Sequence, residues 1–196
     1  MPRWGHRHAR RIVRDDYPMR IAAPPRSGFP GLSLRQLDRT DLDAWYAYLS
    51  NPDVVRHTSW NLHSRDDLLP LFDGIESVQQ DSIRRLAIVD DASGALAGTI
   101  GLHTVSTANR SAEIAYDLAP SHWGRGIASA LCASVTAWAF AEGGFVRIQG
   151  IVLTSNAGSA RVLQKCGYRF EGLLRAYRIV RGVPGDFAMY ARLATD

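Results

Sequence analysis

The sequence has no long apolar run of the kind that membrane segments and secretion signals require. A membrane helix needs about 18 uninterrupted apolar residues, and no stretch reaches that length. The opening segment, MPRWGHRHARRIVRDDYPMR, is basic and lacks the apolar centre of a signal peptide. We therefore expect no membrane partner and a cytoplasmic location.

Cysteine is scarce, which excludes a disulfide framework and a cysteine-rich metal site. The two cysteines, Cys132 and Cys166, have no second cysteine or histidine at the spacing of metal ligands. Both fall in apolar, helix-forming stretches. We expect two buried, reduced thiols and no bound metal.

Lysine is scarcer still, since Lys165 is the only one, and the arginines are unevenly placed. Six of them crowd the start of the chain: Arg3, Arg7, Arg10, Arg11, Arg14 and Arg20. One interpretation is an arm that docks on a phosphate-rich surface such as a ribosome. The other is a solvated extension upstream of a natural start at Met19. Nucleic-acid binding is not the expected main function.

The composition is that of a globular protein with one domain after the arm. The chain has 196 residues, of which 46% are hydrophobic and 21% charged. The segment APPRSGFPG, residues 23–31, is dense in proline and glycine and is typical of a linker. We therefore predict an extension and linker over residues 1–30 and a single domain over residues 31–196.

Hydrophobic periodicity predicts a mixed α/β fold with about seven strands and about four helices. A first strand over 32–37 precedes a helix capped by Thr40 and a second helix from Ser64 to about Gln80, bent at Pro70. The remaining elements alternate along the chain: strands at 84–90, 96–105 and 110–118, a helix at 126–142, a strand at 147–153, a helix at 156–167, and strands at 168–180 and 186–193.

The stretch SHWGRGIASAL places glycines on both sides of Arg125, directly before a helix. The first N–H groups of a helix lack internal partners and attract anions, phosphate above all. Glycine leaves that backbone bare. The P-loop and dinucleotide-binding patterns are absent, because no Gly-Lys-Ser/Thr and no three spaced glycines occur here. Two interpretations stay open: a pocket for one or two phosphates, or a turn followed by a helix cap.

Two motifs in order, ANRSAEIAYDLAPSHWGRGIASAL and TSNAGSARVLQKCGYRFEG, resemble the GNAT superfamily of acetyl-CoA-dependent N-acetyltransferases. More narrowly, they look like the branch that acetylates the N-terminal amines of ribosomal proteins. The resemblance covers about residues 32–193 and leaves the first thirty without a counterpart. It implies a mostly antiparallel, twisted sheet whose strands splay apart in the middle.

The resemblance implies that acetyl-CoA is a co-substrate held between the splayed strands. The implied binding residues are Asp117, Leu118, Trp123, Gly124, Arg125, Gly126, Ile127, Ala128, Asn156, Ser159 and Tyr168. The backbone from Gly124 to Ala128 would bind the pyrophosphate, and Trp123 stands where this branch commonly has Gln or Arg. The backbone at Asp117 and Leu118 would pair with the pantetheine arm and face the thioester oxygen. We expect the Asp117 side chain itself to point to solvent.

The catalytic candidates are Glu113 and Ser159. Glu113 lies in mid-strand among apolar neighbours, where a raised pKa suits a general base; a structural ion pair is the alternative. Many relatives carry a tyrosine acid on the last helix, whereas the matching position here is Leu163. Ser159 is the remaining candidate acid, with Tyr116 and Tyr177 unranked.

The acceptor pocket is expected from the first helices, the last hairpin and the segment VRHTSWNLHS, which holds His57, Trp60 and His63. Arg178 stands where some ribosomal-protein acetyltransferases have a glutamate, and an arginine there favours an acidic substrate. The leading hypothesis is acetylation of a protein N-terminal α-amine. Alternatives are a small-molecule amine as acceptor and an acyl-CoA-binding module without catalysis. The protein is expected to be a monomer or a homodimer.

Overall fold

The computed structural model describes residue 21 and residues 23–196, so the predictions for the basic arm lie outside the described residues. One seven-stranded sheet organises this part of the chain, in the order β1-β2-β3-β4-β5-β7-β6. The strands are β1 Leu32–Gln36, β2 Arg84–Asp90, β3 Leu96–Ser106, β4 Ser111–Leu118, β5 Arg147–Leu153, β6 Arg169–Val180 and β7 Val183–Leu193. The predicted mixed α/β fold is confirmed.

Five α-helices pack on this sheet, one more than predicted: α1 Leu42–Leu49, α2 Pro52–Val55, α3 Leu69–Ile75, α4 Ile127–Ala141 and α5 Ala157–Lys165. The extra helix is α2, whose first turn is capped by the Asn51 side chain, which accepts from the Asp53 N–H. Asp38, not Thr40, caps the turn before α1. None of the helices in the described part of the chain is long and apolar enough to cross a membrane.

The sheet opens between β4 and β5, its only parallel pair in the described residues. These strands pair from Ser111 with Arg147 to Glu113 with Gln149, and no further. Beyond that point β4 stays paired with β3 up to Leu118, and β5 stays paired with β7 up to Leu153. The result is the predicted splay, a V-shaped gap with Glu113 near its closed end.

Two apolar clusters cover the two faces of the sheet, and alternation along β4 assigns its side chains to them. Ile114 and Leu118 belong to the cluster under α4 and α5. Glu113 and Asp117 therefore project to the opposite face, where α1 and α3 pack around Trp45 and Phe72. β4 thus supplies side chains to both faces of the sheet beside the gap.

The segment predicted to be a linker packs against α4. Ser27 is buried and its hydroxyl donates to the Leu32 carbonyl at 2.6 Å. The Ser134 hydroxyl on α4 donates to the Arg26 carbonyl, and Phe29 packs on the core under α4. This segment is therefore part of the packed structure despite its linker-like composition.

Candidate active site

Two cavities open on the gap between β4 and β5. The inner cavity, of about 440 Å³, lies on the α1 and α3 face and reaches Glu113 and the β6–β7 hairpin. The outer cavity, of about 600 Å³, lies against the first turns of α4 and α5. Six residues line both: His57, Thr58, Tyr116, Asp117, Asn156 and Ser159. The cavities therefore meet between β4 and the start of α5.

The first turn of α4 presents bare backbone to the outer cavity. Gly124 and Gly126 have φ angles of +73° and +80°, which favour glycine strongly. No side chain within the described residues caps this helix, and a Cβ built on either glycine would meet nothing within 4 Å. The N–H groups of Ile127 and Ala128 therefore border open space with the positive end of the helix dipole behind them. This is a cradle for an anion.

The two large side chains of this loop have different surroundings. The indole of Trp123 is 45% exposed, lines the outer cavity and donates to the Leu118 carbonyl at 2.8 Å. The Arg125 guanidinium lies over the Phe29 ring, 5.9 Å from its centre, and does not line the outer cavity. Of the predicted contributions here, the backbone and Trp123 border the cavity and the Arg125 side chain does not.

The register of β4 decides which backbone groups face the gap. Ala119 N–H bonds to Ala97 on β3 at 2.9 Å, and hydrogen-bonding direction alternates along a strand. The N–H groups of Leu118 and Tyr116 consequently point to the gap, while that of Asp117 points to β3. The predicted backbone contact fits Leu118 and does not fit Asp117.

The expectation of a solvent-facing Asp117 side chain is wrong, because α1 covers that face of β4. The carboxylate is buried and accepts hydrogen bonds from Arg85 Nη2 at 2.7 Å, Trp45 Nε1 at 3.2 Å and the Thr99 hydroxyl at 3.0 Å. The Tyr48 hydroxyl donates to it as well. This buried ion pair and its donors fix α1 against β2, β3 and β4, below the point where the cavities meet.

Asn156 caps α5 and also holds the loop after α2. Its Oδ1 accepts from the Ser159 N–H at 2.9 Å, and its Nδ2 donates to the His57 carbonyl at 3.0 Å. The Ser159 carbonyl in turn accepts from the Tyr116 hydroxyl at 3.2 Å, and burial raises the pKa of that phenol well above its ordinary value. Ser159 and Tyr116 therefore lie side by side where the cavities meet, whereas Tyr177 is 44% exposed on β6.

Tyr168 does not reach either cavity. Its ring is 3% exposed within the core under α4, and its hydroxyl shares a 2.6 Å hydrogen bond with Thr136. The sequence prediction placed it beside the cofactor; the structure places it in the core.

Glu113 forms the charged centre of the inner cavity. It is 3% exposed, and its Oε1 lies 3.4 Å from both His103 Nε2 and Arg178 Nη2. Burial raises the pKa of Glu113, with Arg178 opposing that shift. Burial, together with Arg85 and Arg178, lowers the pKa of His103 to about 4, so this imidazole is neutral near pH 7. The raised pKa expected of Glu113 agrees with this environment, and the ion pair considered as its alternative is present too.

A bulge in β6 points Arg178 into the inner cavity. Leu174 pairs with Phe187 and Arg178 with Gly185, so two extra residues are accommodated on β6. Ala176 has a φ of +48° within the bulge, and its N–H donates to Asp186 at 2.7 Å. In the sequence, Arg178 departs from a family pattern and was predicted to favour an acidic substrate, but the bulge that orients it was not predicted. His103 was not identified, although the β3–β4 register places it opposite Glu113.

The loop before α3, which was expected to border an acceptor pocket, forms one wall of the inner cavity. His57 and Trp60 line it, whereas His63 is exposed and does not. Arg181, at the tip of the β6–β7 hairpin, holds this loop: its Nη1 donates to the carbonyls of Val55 at 3.1 Å and Thr58 at 3.2 Å. Over residue 21 and residues 23–196, no group of three or more His, Cys, Asp and Glu side chains is arranged to hold a metal.

Comparisons with known proteins agree with this architecture. The family model described as "Acetyltransferase (GNAT) domain" matches residues 32–169. "Uncharacterized N-acetyltransferase YoaA" of Bacillus subtilis is 34% identical over 162 residues, 82% of this chain and 92% of that protein. YdaF of Bacillus subtilis, whose name suggests a ribosomal N-acetyltransferase, is 34% identical over 103 residues, 53% of this chain and 56% of YdaF.

Among solved structures, spermidine N-acetyltransferase from Vibrio cholerae in complex with CoA and spermine has a TM-score of 0.74. It is 25% identical, and the match covers 85% of this chain and 98% of that one. The family match runs from β1 through α5, so it includes the gap and the first turns of both helices that border the outer cavity.

Proposed function

The chain belongs to the GNAT family of N-acetyltransferases, and we propose that it transfers the acetyl group of acetyl-CoA to a primary α-amine, that of a protein N terminus. The observation that carries the proposal is the junction of the two cavities. An anion cradle lies on one side of it and a buried carboxylate on the other. A chain that only bound an acyl-CoA would have no need of the second.

The outer cavity suits the phosphates of CoA. The first turn of α4 has room for a phosphate, because the backbone of Gly124, Gly126 and Ile127 borders open space that a Cβ at either glycine would enter. Leu118 and Tyr116 direct backbone N–H groups into the gap, where an extended arm can pair as an added strand. When bound, acetyl-CoA supplies an activated acetyl thioester.

The two proton transfers of the reaction are assigned to residues on opposite faces of the sheet at the junction. Glu113, on the α1 face, accepts the proton that the amine loses as its nitrogen forms the new C–N bond. An N–H on β4 stabilises the charge that develops on the carbonyl oxygen. The C–S bond then breaks, and the thiolate gains its proton from the side of α5, where the hydroxyls of Ser159 and Tyr116 lie.

The acceptor enters from the inner cavity. A protein N terminus is proposed because an α-amine, with a pKa near 8, is already partly neutral at pH 7 and needs only a weak base. YdaF lends support to this choice by its name. The second candidate is a small-molecule amine, favoured by the size of the inner cavity, since about 440 Å³ can enclose a small ligand.

The test is a thiol-release assay with acetyl-CoA and three acceptor groups: peptides with free α-amines, the same peptides with blocked α-amines, and small amines. The proposal expects free thiol and an acetylated α-amine only with unblocked peptides. Turnover of small amines alone would favour the second candidate. Binding of acetyl-CoA without transfer to any amine would contradict both and leave an acyl-CoA-binding module.

We propose residues 31–196 as the acetyltransferase domain, with the segment from residue 23 packed on α4. The cytoplasm is the proposed location, in keeping with two cysteines that are free and buried in the structure.

A further inference from the structure

Arg178 is an unusual cation for a site that takes an amine, because it would repel a protonated acceptor. Its side chain is 33% exposed and lines the inner cavity together with the loop before α3. This loop, residues 55–64, is called the acceptor loop. The guanidinium carbon of Arg178 lies 5.0 Å from the centre of the Tyr177 ring and 5.6 Å from that of Phe187, and these two rings contact each other edge to face. The rings and the β6 bulge place the guanidinium beside the inner cavity.

The hydrogen-bonding capacity of Arg178 is largely unused. A guanidinium has five N–H donors, and within the described residues this one makes a single long contact, 3.4 Å from Nη2 to Glu113 Oε1. For comparison, Arg147 grips Glu171 through two bonds of 2.8 Å and 2.6 Å. A guanidinium that packs on aromatic rings and has free donors at a cavity wall is suited to bind a carboxylate in bidentate fashion.

The remaining charges of the inner cavity do not offer a cationic acceptor any surplus of negative charge. Asp117 is neutralised by Arg85 at 2.7 Å, and Glu113 faces Arg178. Among the described residues, the other titratable side chains that line this cavity are His57, His103 and Tyr116. A polyamine, which carries several positive charges, would meet two arginines and two carboxylates already paired with them.

We propose that the acceptor carries a carboxylate close to its reactive amine, that Arg178 binds this carboxylate, and that the contact draws Arg178 away from Glu113. This rests on the proposed transfer of acetyl to an α-amine and narrows the acceptor to aminocarboxylates: an acidic protein N terminus for the proposed function, or a free amino acid for the second candidate. Glu113, released from the guanidinium, then accepts a proton from the amine more readily. The base is thereby strengthened only when the matching acceptor is bound.

The test compares matched acceptors on the full chain. One pair is the amidated tripeptides Ala-Glu-Ala and Ala-Gln-Ala; the other is a free amino acid and its amide. Spermidine serves as the cationic acceptor. We expect kcat/KM at least tenfold higher for the carboxylate-bearing member of one pair, and the pair that responds identifies the source of the carboxylate. Spermidine should be the poorest acceptor.

Two variants locate the effect. Arg178→Gln should remove the preference and leave the dissociation constant of acetyl-CoA within about twofold. Arg175→Gln, on the same strand but outside the cavity, should keep the preference. Equal use of acid and amide by the unmodified chain would overturn the inference while the proposed function stands, and so would a preference that survives in Arg178→Gln. If no amine is acetylated although acetyl-CoA binds, the proposed function fails and this inference with it.

Discussion

Glu113 depends on its burial for the role proposed for it. The Glu113→Gln variant keeps the shape of the inner cavity and removes the acceptor of the amine proton. We expect kcat to fall about ten- to a hundredfold, toward the low end of general-base effects, because part of an α-amine is already neutral. The dissociation constant of acetyl-CoA should stay within about twofold, since Glu113 does not line the outer cavity.

The matched control is Glu142→Gln, which alters an exposed carboxylate after the end of α4. Single-turnover rates and acetyl-CoA titrations of the three proteins give both quantities. Full activity of Glu113→Gln would exclude Glu113 as the base and leave its ion pair as a structural one.

His103 predicts a pH dependence of stability. Its pKa is lowered in the folded protein from 6.5 to about 4, so the unfolded chain binds the proton more readily between these values. The contribution of neutral His103 to the free energy of unfolding is therefore complete above pH 6.5 and is lost as the pH falls toward about 4. From pH 7 to pH 5 the cost is at most about 2 kcal/mol.

Denaturant unfolding at the two pH values tests this. The unmodified chain should lose more stability on acidification than His103→Gln, which cannot take up that proton. Glu113, whose pKa is raised, works in the opposite direction in both proteins, because its protonated form is favoured by folding. Equal losses in the two proteins would show that His103 is not held neutral.

The proposal that acetyl-CoA binds rests on the first turn of α4. Gly126→Val adds a side chain to open cradle space and places a β-branched residue at a φ of +80°. We expect the dissociation constant of acetyl-CoA to rise at least about tenfold, or about 1.4 kcal/mol. Calorimetric titration measures it.

The control is Gly94→Val, in the β2–β3 turn, which has a φ of +70° and the same open surroundings but lines neither cavity. It carries a similar backbone strain. An unchanged affinity in folded Gly126→Val, or an equal loss in Gly94→Val, would remove the cradle interpretation.

The hairpin tip governs the acceptor loop. Arg181→Gln removes a guanidinium that donates to four backbone carbonyls between residues 55 and 60, so the loop wall of the inner cavity loosens. We expect KM for the acceptor to rise about five- to tenfold with little change in acetyl-CoA binding.

Arg56→Gln is the control. Arg56 lies in the same loop, and among the described residues its side chain pairs only with Asp53, which is exposed on the surface. Equal KM values in the two variants would contradict this role.

Several elements with strong periodicity were predictable to within about two residues, whereas special turns were not. The helix predicted from Ser64 to about Gln80 is a 3₁₀ turn, Arg65–Leu68, followed by α3, which ends at Ile75. β5 has the predicted bounds, and α4 differs from its prediction by one residue at each end. The β6–β7 loop was predicted as RGVPG but is only two residues long, because Arg181 and Gly182 both adopt positive φ, at 48° and 84°. An arginine at a left-handed position gives no local sequence signal. The positive φ of Arg181 accompanies a tertiary contact, because its side chain reaches the acceptor loop.

The same limit applies to side chains in the site. Glycine chemistry and helix polarity pointed to the cradle of α4 from local sequence alone. Asp117 was misplaced because its partners, Trp45 and Arg85, come from elements far away in the chain. Strand alternation shows that a residue faces one side of a sheet, but not that a helix covers that side.

Across the whole molecule, the described part of the N-terminal region packs on the core under α4. A variant beginning at Met19 should keep its thermal midpoint and its acetyl-CoA affinity, because it retains this packed segment. A variant beginning at Leu32 should melt about 5 °C lower, since it loses the contacts of Ile21, Ser27 and Phe29 with the core under α4. Differential scanning calorimetry measures both. Equal midpoints for the two variants would show that the packed segment adds no stability.

The decisive measurement for the cofactor site is calorimetric titration of the purified chain with acetyl-CoA. We expect one molecule to bind per chain with a dissociation constant in the micromolar range. That result would leave the acceptor as the open question. Absence of binding in a folded sample would mean that the bare turn of α4 is only a helix start, and the assignments of Glu113, Ser159 and Arg178 would fall with it.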